Sequence, residues 1–439
     1  MLFFDRDVEI DLKKWSDSKI RKPLILRGAR QVGKTSLLKH FGQSNFENTA
    51  YFNFDEQPEL SQFFEQSKDV NKILQQLSLV FGKTINPKNT LIIFDEIQEC
   101  KNALNTLKYF AENAPEYKIA CAGSLLGITL GNHSSFPVGK VNFINIKPLT
   151  FLEFIKKQDF DLFNYTNTIE SIENIPDLFY HKLVDVFKMY FISGGMPEPA
   201  RILVEEKNIK ATQQSLRDIL LAYELDFSKH AQSKDIAKIN YVWKAIPSQL
   251  ARENKKFLYQ TVKTGARARE YEDALEWLIQ AGLVHKIIKC NKPNIPISAY
   301  DDLSAFKLYL LDVGLLRQQS QLDPLAFKEG NRLFTEFKGA LIENYILQSL
   351  IAQFENLPRY WTSDGRAEVD FLIQYQNKII PIEVKSDENI KSKSLTIYHQ
   401  QFKPELRIRY SLKNLHFENG LLNIPLFMAD FTSKLIGLL

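Results

Sequence analysis

An α/β chain of several domains is predicted, on three observations. Short apolar runs alternate with helical patterns through the first third, the middle turns helical, and the last hundred residues return to strands after a long helix. Continuous apolar strands set between helices indicate a parallel sheet covered on both faces. At 439 residues the chain exceeds one ordinary core, and about 150 residues per domain suggests about three.

The elements follow in order. KPLILRG (22–28) reads as a buried strand and KTSLLKHFGQ as the helix after it. TAYFNFDE (49–56), TLIIFDE (90–96) and YKIACAGS (117–124) read as further strands, with helices SKDVNKILQQLSLVFG and NALNTLKYFAENA between them. HSSFPVGKVNFINIKPLT reads as a loop and a fifth strand, and LTFLEFIKKQ as a helix. From about 165 to 232 the pattern is helical, broken at Gly194-Gly195-Met196-Pro197. DIAKINYVWKAIPSQLA and REYEDALEWLIQAGLVHKIIKC follow as helices, the second running into a strand, and FKLYLLDVGLL reads as a strand and turn. Helices followed by a short hairpin suggest a winged helix. The final segment holds a helix, FTEFKGALIENYILQSLIAQF, and strands PRYWTS, AEVDFLIQY and KIIPIEVKS.

Composition narrows the class. Hydrophobic content of 44% and charged content of 25% are those of a soluble globular protein. A net charge of +4 argues against a polybasic scaffold but allows a local basic groove. Cys100, Cys121 and Cys290 form no CxxC pair, so neither a disulfide framework nor a cysteine zinc site is indicated. The N-terminus does not read as a signal peptide, no apolar run spans a membrane, and the expected compartment is cytoplasmic.

Gly28-Ala29-Arg30-Gln31-Val32-Gly33-Lys34-Thr35 matches GxxxxGK[ST] in full, after a strand and opening a helix, with Ser36 next in the first turn. This is the phosphate-binding loop of a P-loop NTPase. Glycines let successive amides point inward at phosphate oxygens, and the helix directs its positive end at the same anion. Lys34 supplies a cation to the β- and γ-phosphates, and Thr35 a hydroxyl to Mg2+. Asp95 ends the strand LIIFDE, 61 residues beyond Lys34, as the expected second holder of Mg2+. Glu96 is placed to polarise the attacking water, or else is a paired or capping acid. Ser124 either senses the γ-phosphate or caps a helix. Arg30 reads as a surface or gating residue. The role of Asp55 stays open. ATP and Mg2+ are the expected cofactors.

A second constellation lies near the C-terminus. Glu343 sits on a helix, Asp370 on one strand and Glu383-Val-Lys385 on the next. Asp370 and Glu383 are 13 positions apart, with a hairpin turn expected near Gln376-Asn377. Glu383 and Lys385 share a strand face. Such acids, with Lys385 to orient water, suit metal-assisted phosphodiester hydrolysis, Glu343, Asp370 and Glu383 holding the metal. The alternative is a salt bridge between Lys385 and the acids, and the same fold also serves binding without cleavage. The stretch with Lys255, Lys256, Lys263, Arg267 and Arg269 is either a DNA contact or a solvated face.

In order, GARQVGKTSLL, IIFDEIQEC, CAGSLLG, PLTFLEF, GGMPEP, LDVGLL, GALIENYI, EVDFLI and PIEVKS resemble a prokaryotic family of AAA-superfamily ATPases with a C-terminal domain of unknown function. The resemblance implies a P-loop ATPase domain (1–164), a helical lid (165–232), a winged-helix middle (233–325) and a restriction-endonuclease-like α/β domain (326–439). It also makes Pro197 the proline of a G-x-P element close to bound nucleotide. Family members often carry Gly-Arg before the fifth strand. Here Gly139-Lys140 stands there, and lysine lacks the planar fork of arginine.

Overall fold

The computed structural model describes residues 3–124, 139–252, 255–324, 338–363, 367–386 and 393–439. The loop read at 133–138 and the start of the helix read from 334 lie outside the described residues. The chain divides into two compact units. The smaller comprises Asp5–Lys147 with Gln280–Gly282, and the larger comprises Pro148–Ile279 and Leu283–Leu439 with the first residues through Phe4.

The smaller unit is built on a five-stranded sheet in the order β2-β3-β4-β1-β5. Its strands are β1 (Leu24–Arg27), β2 (Asn48–Asn53), β3 (Thr90–Asp95), β4 (Lys118–Cys121) and β5 (Asn142–Asn145), and every pair is parallel. All six residues of β3 are buried, as a central strand covered on both faces requires. Helix Val70–Phe81 shows how the sequence writes the covering layer. Asp69 caps it by accepting from the Asn71 amide, Gly82 ends it at φ 75°, and Val70, Ile73, Leu74 and Leu77 form its buried stripe. Each of those larger side chains contributes about 1.5–3 kcal/mol on burial. Phe52, Phe54, Phe64, Phe94 and Phe110 fill the core in tilted and edge-to-face contacts.

The larger unit packs helices around a mixed eight-stranded sheet, β12-β13-β11-β10-β9-β8-β6-β7. Its strands are β6 (Val284–Cys290), β7 (Asp301–Leu310), β8 (Arg359–Thr362), β9 (Glu368–Tyr375), β10 (Lys378–Val384), β11 (Arg407–Ser411), β12 (His416–Glu418) and β13 (Leu421–Pro425). Its helices include Phe151–Gln158, Asp177–Ser193, Pro197–Glu206, Ile209–His230, Ser233–Leu250, Ala268–Gln280, Val313–Gln319 and Lys338–Gln353. The first begins with a full capping box, Thr150 and Glu153 satisfying each other's amides.

Three differences from the sequence reading have physical causes. The segment 148–164, expected to end the first domain, packs in the larger unit. There Phe151 and Phe154 stack edge to face against Phe187 and Tyr190. The hairpin β6–β7, expected as the wing of a separate domain, joins another sheet. Lys289 of β6 pairs in parallel with Tyr360 of β8, so the hairpin extends the C-terminal sheet. The turn read after it is the helix Val313–Gln319, capped by Asp312.

Candidate functional site

The carboxyl edge of the parallel sheet gathers the motif residues. Gly28 leaves β1 at φ 146°, and a Cβ there would overlap the carbonyl oxygen of Ile146, so only glycine fits. Gln31 at φ 65° and Gly33 at φ 92° complete the curl into helix Lys34–Asn45. Lys34 Nζ lies inside that curl and donates to the carbonyls of Gly28 at 2.9 Å and Ala29 at 2.7 Å. Burial pushes its pKa down to about 8, against the pull of Glu96 and Asp95. Thr35 Oγ1 donates to Asp95 Oδ1 at 3.0 Å, which brings the hydroxyl and carboxylate together from two elements. Arg30, Gln31 and Ser36 are exposed, Ala29 and Val32 buried.

Glu96 has a left-handed backbone, φ 48°, ψ 43°. A non-glycine residue held there costs about 1–2 kcal/mol, and such strain is retained where the surroundings enforce it. Here the Glu96 carboxylate accepts from the Ser124 amide at 3.1 Å, the Ser124 hydroxyl at 3.3 Å and Gln98 Nε2 at 2.5 Å. The two readings of Ser124 and Glu96 thereby meet in one pair, linking the ends of β3 and β4. Asp55 is exposed, its amide held by Asn53 Oδ1. Lys140 Nζ pairs with Glu112 on the surface at 2.8 Å.

Three contributors have no role assigned from the sequence. Arg6 is buried and donates to Val32 O at 3.2 Å and Lys147 O at 2.6 Å, bracing the loop from 26 positions upstream. Tyr51 donates to Asp95 Oδ2 at 2.7 Å, its pKa pushed up by burial and by Asp95. Gln98 is the third. The donor set fits a magnesium triphosphate: inward-curled amides and Lys34 for the phosphates, Thr35 and Asp95 for the cation.

In the larger unit the C-terminal acids lie together in part. The hairpin register pairs Ile382 with Phe371, which sets Glu383 beside Asp370, and the two-residue turn holds Gln376 at φ 52°. Asp370 Oδ2 accepts from the Val384 amide at 2.8 Å. Burial first, then the Glu343 carboxylate, raises its pKa to about 7 against Lys307 and Lys255. Lys385 pairs with Glu383 at 2.8 Å, the salt bridge weighed as its alternative. Glu343 departs from the expected ligand set. Its Oε1 takes the Lys255 ammonium and its Oε2 accepts from Tyr309 at 3.0 Å. Among the described residues no group of three or more His, Cys, Asp or Glu is arranged to hold a metal ion. Lys255, read as part of a basic surface, turns inward instead, whereas Lys263, Arg267 and Arg269 are exposed. Lys307 and Tyr309, on β7, were not singled out in the sequence. Only the apolar run FKLYLL around them marks their place.

Gly194 and Gly195 are more than a turn. The Gly195 amide donates to Asp312 Oδ2 at 2.6 Å, and its carbonyl accepts from Leu149 N at 2.6 Å. Pro197 opens helix Pro197–Glu206 as its first residue. No helix among the described residues is long and apolar enough to cross a membrane.

Residues 184–326 and 338–427 match the models of two domains of unknown function, DUF8612 and DUF4143. Over 410 residues the chain is 24% identical to the uncharacterized protein MJ1544 of Methanocaldococcus jannaschii, covering 91% of this chain and 81% of that one. Among solved structures, the Walker-type ATPase PABY2304 of Pyrococcus abyssi matches at 16% identity and TM-score 0.45, over 72% of this chain and 96% of that chain. The Aeropyrum pernix Orc1 protein, solved in complex with DNA, matches at 11% identity and TM-score 0.29, over 73% and 94%. Residues 20–155 match the model of the AAA domain, and this stretch is a P-loop ATPase domain of the AAA type.

Proposed function

We propose that the protein binds ATP with Mg2+, hydrolyses it, and uses its nucleotide state to control the C-terminal region. The observation that carries this reading is the convergence of Lys34, Thr35, Asp95, Glu96 and Ser124 on one sheet edge. The loop amides and Lys34 stabilise charge developing on the transferred phosphoryl group. Thr35 and Asp95 would hold the cation, which would neutralise charge on the phosphates. Glu96 orients and accepts the proton of the attacking water, its carboxylate aimed by Ser124 and Gln98. Glu96→Gln keeps the hydrogen-bonding shape but cannot accept that proton. It is expected to bind ATP within about threefold of wild type and to turn over about 100-fold more slowly. Binding by calorimetry and phosphate release measured together check this. Equal turnover in the two proteins assigns the base to another residue.

For the C-terminal region two readings compete: a DNA-processing domain with a restriction-endonuclease-like fold, or a domain that binds nucleic acid or protein without cutting. The pairing of Glu343 with Lys255 favours the second. The exposed Lys263, Arg267 and Arg269 offer phosphate contacts. On supercoiled, linear and single-stranded DNA with Mg2+ or Mn2+, wild type is expected to leave the substrate intact, as does Asp370→Ala. Metal-dependent nicking lost in Asp370→Ala restores the nuclease reading.

A further inference from the structure

The two oxygens of Asp95, the carboxylate assigned to the cation, are held by different parts of the smaller unit. Oδ1 accepts from Thr35 Oγ1 at 3.0 Å and from the Glu96 amide at 3.2 Å. Oδ2 accepts from the Tyr51 hydroxyl at 2.7 Å. The first oxygen therefore belongs to the threonine side of the site, and the second is tied to β2.

Strand pairing explains the reach of Tyr51. In the parallel pair β2–β3, Asn53 stands opposite Asp95 and Tyr51 opposite Ile93. Tyr51 and Asn53 are two apart and share a strand face, and the long tyrosine side chain extends to the carboxylate at the end of β3. Two further contacts fix it there. Asn53 Nδ2 donates to the phenol oxygen at 3.3 Å, while Asn53 Oδ1 is taken by the amides of Asp55 at 3.0 Å and Glu56 at 3.3 Å. Lys39 Nζ lies 3.7 Å from the centre of the Tyr51 ring, where the ring face attracts a cation. Lys39 stands on helix Lys34–Asn45, the helix that also carries Lys34 and Thr35. The phenol is thus oriented from the strand and from the helix that opens at the phosphate-binding loop.

We propose that Tyr51 is a positioning residue that sets the cation preference of the nucleotide site, by holding one Asp95 oxygen so that the carboxylate offers only the other. Mg2+ is small and demands a near-ideal octahedral shell, whereas Ca2+ is larger and accepts both oxygens of one carboxylate. Without the phenol, Oδ2 is released, and the site gains an oxygen that Ca2+ can use and Mg2+ cannot. The inference rests on the reading that ATP binds here with Mg2+.

The probe is an ATP analogue with an imido bridge between its β- and γ-phosphates, titrated calorimetrically into the full chain in Mg2+ and in Ca2+. The readout is the ratio of the two dissociation constants. Loss of a merely structural brace weakens both complexes alike and leaves that ratio unmoved. Wild type is expected to bind at least about tenfold more tightly with Mg2+ than with Ca2+, and Tyr51→Phe to lower that preference by about fivefold. Tyr51→Leu, which also lacks the hydroxyl, repeats the measurement, and thermal melting confirms folding of each variant. Folded variants that keep the wild-type ratio overturn the proposal, even where both complexes are weakened. If neither variant folds, wild type decides: the expected preference for Mg2+ supports the proposal and equal affinities overturn it. Wild type that binds the analogue with neither cation overturns the ATP reading as well, whereas binding with an unmoved ratio sinks this inference alone.

Discussion

Lys34→Ala raises the dissociation constant for magnesium-ATP by about 100-fold and leaves the nucleotide-free fold intact. The lysine is a buried cation whose present partners are weak: two loop carbonyls, those of Gly28 and Ala29. Burial, against the pull of Glu96 and Asp95, lowers its pKa to about 8, so the ammonium is held at a cost that an arriving triphosphate relieves. Charge-assisted hydrogen bonds of this kind contribute about 1.5–3 kcal/mol, and 1.4 kcal/mol is a factor of ten in affinity. The upper part of that range gives the expected hundredfold. The same reasoning fixes the control. The variant no longer desolvates an ammonium, so its nucleotide-free melting temperature stays level or rises. Ligand at about 100 times the dissociation constant stabilises a protein by about 2.7 kcal/mol. A wild-type thermal shift of that size, absent in Lys34→Ala at the same ATP concentration, is the expected pair of results. An unchanged shift removes Lys34 from the phosphate site.

The nucleotide edge was legible because its chemistry is local. A strand, two glycines, a lysine and a hydroxyl within eight positions dictate their own geometry, and Asp95 at the end of an apolar run needs no knowledge of the rest of the chain. Arg6 was not legible. It braces the loop through Val32 and Lys147, and a lone arginine among FFDRD says nothing of carbonyls it reaches only after folding. Tyr51 is similar, because its bond to Asp95 follows from the neighbouring places of β2 and β3. At the C-terminal end the order of Glu343, Asp370 and Glu383 marked a cluster but not its charge balance. The cations come from Lys255 and Lys307, on segments that read as surface and hairpin. Their pairing is set by the sheet that joins β6 to β8, a contact with no periodic signature. The strands β11 to β13 went unread because RIRYS and LLNIP are short and mix charged or polar residues with apolar ones.

Gly195→Ala is expected to damage the larger unit severely. Four segments with no resemblance to one another meet at this residue. Tyr190 donates to Leu149 O at 2.5 Å, Gln348 donates to Tyr190 at 2.8 Å, and the Val313 amide donates to Gln348 at 3.1 Å. Asp312 closes the network. It is buried, with its pKa raised to about 6 by that burial, and it accepts from the amides of Gly195 and Leu315. A Cβ on Gly195 would overlap the Leu149 carbonyl oxygen and come within 2.8 Å of the Tyr190 hydroxyl and 2.9 Å of the Leu149 amide. Two of those three atoms are backbone, so no rotamer relieves the contact, and the chain must move where it is most tightly bonded. Overpacking of this kind costs about 1–3 kcal/mol from sterics alone. Loss of a bond to Asp312 adds the price of a buried acceptor left short, about 1–3 kcal/mol. A total of about 3 kcal/mol lowers the melting temperature by roughly 6–12 °C in a unit of this size. Three of the four tryptophans, Trp243, Trp277 and Trp361, lie in the larger unit and Trp15 in the smaller, so with Trp15→Phe as background tryptophan fluorescence follows the larger unit. Gly265→Ala separates crowding from backbone strain. Gly265 sits at φ 80° with open space around its missing Cβ, so its alanine variant loses only the left-handed preference, about 1–2 kcal/mol. If Gly265→Ala proves as harmful as Gly195→Ala, close approach at the Gly194-Gly195 break is not what holds these four segments together.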